Sequence, residues 1–140
     1  MPQSYSSIRV HLIWSTKHRQ PILTSSLKQH VYKAIHDIAN DHEIYLDCIN
    51  GVEDHVHLLV RLRTDQTVAD VVKTIKGNLW EEFKNGEKEY VTWQDGYAAF
   101  SVSPSHLKQV RRYIYNQVEH NREKSFSDEL KDLKEFAKKN

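Results

Sequence analysis

The stretch that most constrains the fold is Asp54-His55-Val56-His57-Leu58-Leu59-Val60. Successive side chains on a strand point to opposite faces. Read as a strand, this run sends Val56, Leu58 and Val60 into a core and projects His55 and His57 side by side from the other face. A chain built around it needs a sheet with one packed face and one face bearing polar chemistry. Two imidazoles on a rigid strand can grip one divalent metal ion, because the strand sets their separation before the ion arrives. A His-x-His pair by itself also fits two polar residues on a solvated face, and this chain has nine histidines. The choice rests on whether the rest of the chain supplies a third ligand and a reactive group.

The flanking segments supply a sheet. Residues 5–16 alternate, with Ile8, Val10, Leu12 and Trp14 against Arg9, His11 and Ser15, which is a strand with one apolar face. Lys17-His18-Arg19-Gln20-Pro21 is a basic loop. A helix begins near Thr24, Ser25 or Ser26, with Leu27, Val31, Ala34, Ile35 and Ile38 as its apolar stripe, and fades at Asn40-Asp41-His42. Residues 43–49 read as a second strand with Ile44, Leu46 and Cys48 on one face. Asn50-Gly51 is expected to turn the chain into the histidine strand at about 55–62, through a loop longer than the tightest hairpin.

Thr67-Val68-Ala69-Asp70 resembles a capping box and opens a helix with Val68, Val71, Val72, Ile75 and Leu79 on its stripe, ending near Asn85-Gly86. Two short extended pieces follow, at 90–94 and 97–102. The order strand, helix, strand, strand, helix, strand predicts an α+β fold. It is a ferredoxin-like (RRM-like) antiparallel sheet with two helices on one face, leaving the face with His55, His57 and His11 to whatever follows.

Two more helices follow. Ser103-Pro104 starts the first, expected from 104 to about 122 with Val110, Ile114 and Val118 as its core stripe. Tyr113 and Gln117 sit one turn apart on a face offset from that stripe. The last, short helix starts near Ser127. Asp128 and Glu129 in its first turn and Lys138 and Lys139 at its end suit the helix dipole, and Leu130, Leu133 and Phe136 need a surface to cover.

Composition narrows the class. At 140 residues, with 39% hydrophobic and 28% charged residues, the whole chain 1–140 is expected to be one soluble domain. No apolar run is long enough for a membrane span, and no signal-peptide segment is evident, so a cytoplasmic protein is expected. Its single cysteine, Cys48, excludes an intrachain disulfide and a cysteine-rich zinc cluster. A net charge of +1 permits nucleic-acid binding only through clustered basic residues.

Taken together, His55-Val56-His57, the late Tyr113-Ile114-x-x-Gln117 helix, Val71-Val72-Lys73-Thr74-Ile75-Lys76-Gly77 and Gly96-Tyr97 with Ser101-Val102-Ser103 resemble the single-tyrosine HUH transposases of the insertion-sequence 200/605 type. The resemblance covers nearly the whole chain. It implies Tyr113 as nucleophile and His55, His57 and Gln117 as ligands of a divalent metal, Mg²⁺ or Mn²⁺. The implied activity is cleavage and rejoining of single-stranded DNA at hairpin-flanked transposon ends through a 5′-phosphotyrosine. The implied assembly is a homodimer with composite active sites. Where family members often carry a glycine before the tyrosine helix, this chain has Ser103-Pro104-Ser105. Lys17, Arg19, Lys73, Lys76, Arg111 and Arg112 are the candidate phosphate contacts, with His18 beside them. Trp93 and Tyr97 are candidates for stacking on bases. His11 and His120 are candidates to take the phenol proton. Two other readings remain: a domesticated relative that binds hairpin or single-stranded nucleic acid without full transposition, and an unrelated ferredoxin-like metal- or RNA-binding domain.

Overall fold

Four strands and five helices follow from these patterns in the computed structural model, which describes residues 4–83 and 91–139. The strands are β1 (Ile8–Ser15), β2 (Tyr45–Val52), β3 (His55–Leu62) and β4 (Ala98–Val102). The helices are α1 (Ser25–Asp41), α2 (Val68–Phe83), α3 (Leu107–Tyr115), α4 (Gln117–Glu123) and α5 (Phe126–Lys139). The sheet order is β2-β3-β1-β4 with every pair antiparallel, which is the expected ferredoxin-like arrangement. The stop expected at Asn85-Gly86 lies outside the described residues.

One sheet face is the main core. Leu12, Trp14, Val56, Leu58 and Val60 meet Val31, Ile35 and Ile38 of α1 and Val71, Val72, Ile75 and Leu79 of α2. Each such side chain removed from water contributes about 1.5–3 kcal/mol. Thr24 caps α1 by accepting from the Leu27 backbone N–H, and the Thr67 hydroxyl accepts from the Asp70 N–H at the start of α2. The second face is covered too. Ile114, with Leu107, Val110 and Tyr113 around it, packs on Cys48, Leu59 and Val102. The tyrosine helix is thus the lid of the histidine face.

Three local expectations are corrected. Asn50 and Gly51 do not turn the chain; they lie inside β2, opposite His57 and Val56. The turn is Glu53-Asp54 between the paired Val52 and His55, the tightest hairpin length rather than a longer loop. Cys48 does not share a face with Ile44 and Leu46. A β-bulge between Leu46 and Cys48 inserts one residue and reverses the alternation. Cys48 therefore joins the histidine-side cluster while Ile44 and Leu46 stay on the α1/α2 side.

The expected helix from 104 to 122 is also divided. Residues 104–106 make a single 3-10 turn, and α3 ends at Asn116, whose φ of −94° and ψ of 22° leave the helical region. The offset rotates the continuation, so Gln117 is buried and Val118 is exposed.

Burial, then the neighbouring Asp47 carboxylate, push the Cys48 thiol up to about 12. Its thiolate fraction at pH 8 falls roughly a thousandfold or more below that of an ordinary cysteine. Labelling of the native protein by a thiol reagent is expected to be much slower than labelling in denaturant, as colour release would record.

Candidate active site

The β2–β3 hairpin and β1 place three histidines on the covered face. His57 pairs with Ile13 across β1, and His11 pairs with Leu59, so His11 and His57 are diagonal neighbours. His11 Nε2 and His57 Nδ1 share a 2.7 Å hydrogen bond. His55 Nδ1 lies 2.7 Å from Asp54 Oδ1, in the turn that starts the strand. Both Nδ1 atoms are thereby engaged, and both Nε2 atoms are left facing the same space. A ring held through its other nitrogen has a fixed orientation, as metal-ligating histidines do.

Glu129 of α5 fills that space. Its Oε1 is 2.7 Å from His57 Nε2 and its Oε2 is 3.5 Å from His55 Nε2. His55, His57 and Glu129 are all buried, and one ligand atom from each lies within 4.8 Å of the others. His55 Nε2 makes no hydrogen bond among the described residues. Ligand atoms around a small divalent cation sit about 3 Å apart with their lone pairs converging. The donor set and the orphaned Nε2 therefore fit such an ion.

Tyr113 stands over the pair. Its ring is 5.8 Å from the His57 ring and 6.0 Å from the His11 ring, edge-on to both. The helix that carries it is tied to β2 at two points. Arg111 makes a bidentate ion pair with Asp47, the bulge residue. Asn50 Nδ2 donates to the Ile114 and Tyr115 carbonyls at the end of α3. Gln117 is buried below; its Nε2 donates to the Tyr113 carbonyl, and its Oε1 accepts from Asn121 Nδ2. The same Asn121 Nδ2 donates to Glu129 Oε2 at 3.0 Å. The ends of the site are sealed by Phe126, stacked on His55 at 4.4 Å, and by Arg19, which lies over Phe126 and donates to Ser127.

The charges follow from this packing. Burial, then the His57 charge, lower the His11 pKa to about 3, so His11 is a neutral partner. Burial opposes charge on His55 too, but Asp54 and Glu129 outweigh it and raise its pKa to about 8. Glu129 is held ionised: burial disfavours its charge, and the His55, His57 and Tyr113 side chains around it prevail. Burial, then the Glu129 charge, push the Tyr113 phenol above its ordinary value, against a hydrogen bond from Gln117 that lowers it.

Of the residues expected from the sequence, His55, His57, Tyr113 and Gln117 converge. His11 is there as the partner of His57. The side chain of His120 lies outside the described residues. Among the candidate phosphate contacts, Arg111 and Arg19 serve the packing just described, and Lys76 donates to the Gln94 and Gly96 carbonyls and lies over Trp14. Lys17, Lys73 and Arg112 are exposed. Lys17 and Lys73 line a groove of about 560 Å³ together with Trp80, Trp93 and Tyr97. Glu129 was missed by sequence reasoning, which assigned it to the helix dipole. Its spacing to Leu133 and Phe136 puts an acid at the head of an apolar stripe, and that was the available signal.

The comparisons with known proteins bear on the family and the fold. The family model described as "Transposase IS200 like" matches residues 4–117. The chain is 28% identical over 121 residues to the ISDra2 transposase TnpA of Deinococcus radiodurans, covering 79% of this chain and 84% of that one. A crystal structure of a Deinococcus radiodurans R1 protein assigned as a transposase superposes with a TM-score of 0.63 at 26% identity, over 84% of this chain and 96% of that one. A REP-associated tyrosine transposase bound to a REP hairpin shares the fold, with a TM-score of 0.65 at 17% identity over 86% of this chain and 73% of that one. With the histidine strand, the tyrosine helix and the sheet that joins them all inside residues 4–117, the chain belongs to the IS200-like transposase family.

Proposed function

We propose that this transposase cleaves and rejoins single-stranded DNA beside hairpins at transposon ends, with Tyr113 as the nucleophile. The observation that carries the reading is the phenol ring edge-on to a buried, pre-oriented histidine pair of the same chain. Tyr113 Oη attacks the scissile phosphorus and loses its proton. The bond from phosphorus to the 3′-oxygen breaks, leaving a 5′-phosphotyrosine and, once that oxygen is protonated, a 3′-hydroxyl. A second 3′-hydroxyl then attacks the phosphotyrosine, releases the phenol and restores a phosphodiester. The phosphotyrosyl bond retains the energy of the broken linkage, so no nucleotide cofactor is consumed.

His55 and His57 would hold a divalent ion, Mg²⁺ or Mn²⁺, with Gln117 as the further protein ligand that the resemblance implies. Such an ion supplies Lewis-acid stabilisation to the phosphate and the departing oxygen. Asp54 and His11 orient the two rings, and Phe126 keeps water from His55. The reading places the DNA strand in the groove of Lys17, Lys73, Trp80, Trp93 and Tyr97, where amines meet phosphates and rings stack on bases. Arg112 is a further phosphate contact on the exposed side of the tyrosine helix. Thr16, the residue before Lys17, bridges Trp93 and bonds to Asp54, so the groove starts beside the histidine hairpin. The solved neighbour bound to a REP hairpin supports a hairpin partner. A cytoplasmic homodimer of one-domain chains completes the reading. Among the described residues no helix is long and apolar enough to cross a membrane.

The test is a denaturing gel with end-labelled single-stranded hairpin DNA from the ends of the protein's own locus, in Mn²⁺ or in EDTA. A shifted covalent band is expected in Mn²⁺ alone. Binding without any adduct, on the native sequence and in several metals, would instead favour the domesticated, non-cleaving relative.

A further inference from the structure

Resting on the reading of Tyr113 and the histidine pair as the place where the phosphate is attacked, we propose that the cavity between β4, α3 and α5 seats one unpaired base of the DNA strand, that of a nucleotide flanking the scissile phosphate. The first argument is place. The cavity has a volume of about 580 Å³, and His11 forms part of its wall. The same His11 is bonded to His57 at 2.7 Å, and its ring lies 6.0 Å from the Tyr113 ring. The cavity and the cleavage site therefore share a side chain. A strand whose phosphate meets Tyr113 has a neighbouring base within reach of the cavity.

The second argument is lining. Cavities of about 300–1,000 Å³ take small organic molecules. Phe100, paired with His11 across β1 and β4, and Phe136 of α5 both line this one. Phe136 is 58% exposed, as a ring that stacks on a base must be. Ser103 and His106 add polar groups, joined to each other by a 2.8 Å hydrogen bond. Among the described residues no Lys, Arg, Asp or Glu lines the cavity. An uncharged wall with aromatic rings suits a flat neutral heterocycle and not a phosphate, in contrast with the groove of Lys17 and Lys73. The third argument is a proton. A histidine that ligates through Nε2 carries its proton on Nδ1. His57 in that state donates to His11 Nε2, and a neutral His11 then carries its own proton on Nδ1. Among the described residues that nitrogen has no hydrogen bond, although His11 is only 3% exposed. A buried donor without an acceptor is costly, and a carbonyl oxygen or ring nitrogen of a base in the cavity supplies one.

The experiment is binding in EDTA, read by fluorescence anisotropy, of single-stranded hairpin DNA from the ends of the protein's own locus. A single abasic site is moved one nucleotide at a time through the unpaired flank. The wild type is compared with Phe136→Ala and with Ala137→Trp, each checked for fold by circular dichroism. Ala137 is an exposed α5 residue on the cavity wall, and a tryptophan there fills the space. One abasic position is expected to weaken wild-type binding about tenfold, as loss of one stacked base does. Both variants should bind intact DNA more weakly by a similar factor and lose the penalty at that position, because the base no longer has its seat. Lys73→Ala should instead weaken binding of every DNA alike. The adduct gel in Mn²⁺ maps the cut, which is expected beside that position. If the adduct forms but the wild-type scan is flat, or the penalty lies away from the cut or persists in both variants, this proposal falls and the transposase reading stands. If the penalty and its loss in the variants appear without any adduct, the base seat stands and the cleavage reading falls.

Discussion

Tyr113→Phe is expected to abolish the covalent protein–DNA adduct, lowering its rate by at least about a thousandfold, while DNA binding and fold persist. The substitution removes one oxygen and leaves the ring between His11, His57 and the sheet. Burial and the Glu129 carboxylate raise the phenol's pKa above its ordinary value, so without a cation the nucleophile is protonated throughout the neutral range. EDTA should then mimic the variant on the same denaturing gel. Mixing Tyr113→Phe with His57→Ala adds a geometric reading. In the structure each chain's tyrosine stands at its own histidines, an arrangement that predicts no adduct from the mixture. Recovery of the adduct would show that the tyrosine helix is exchanged between chains of a dimer. An adduct of undiminished yield from Tyr113→Phe alone would remove Tyr113 from the mechanism.

The site was legible where periodicity is local. Period two in residues 54–60 put His55 and His57 on one face, and i, i+4 spacing put Gln117 one turn from Tyr113; both hold in the structure. What escaped depends on single-residue irregularities and on long-range packing. The bulge at Asp47 reverses the alternation of β2, and no pattern of apolar residues announces it, because Cys48 is accepted on either face. Its reason emerges only in three dimensions: the extra residue is the carboxylate that grips Arg111 and seats the tyrosine helix. The break at Asn116 likewise exchanges Val118 for Gln117 in the buried position. Glu129 reads as a helix-dipole residue because an acid in a first turn is ordinary. Only docking of α5 on the histidine face turns it into part of the site.

Gly51 illustrates the same point in energetic terms. Asn50-Gly51 has the composition of a turn, yet Gly51 is a strand residue whose value lies in the space a side chain would take. A Cβ there would meet the His55 carbonyl oxygen at 2.3 Å and the Val56 Cα at 2.9 Å. Both are backbone atoms of the paired strand, so no side-chain rotation relieves the contact. Gly51→Ala is expected to cost about 3 kcal/mol, at the upper end of overpacking effects, in urea unfolding monitored by tryptophan fluorescence. The hairpin must open at the residue that carries the first imidazole, so Mn²⁺ affinity should fall with stability. Gly77→Ala provides the contrast. Gly77 is exposed in α2 with no atom within 4 Å of its added Cβ, and the change should stabilise by up to about 1 kcal/mol through helix propensity alone. Opposite signs at the two glycines would tie the closeness of β2 and β3 to the metal site. An alanine at 51 that left both stability and Mn²⁺ binding intact would mean that the hairpin yields without moving His55.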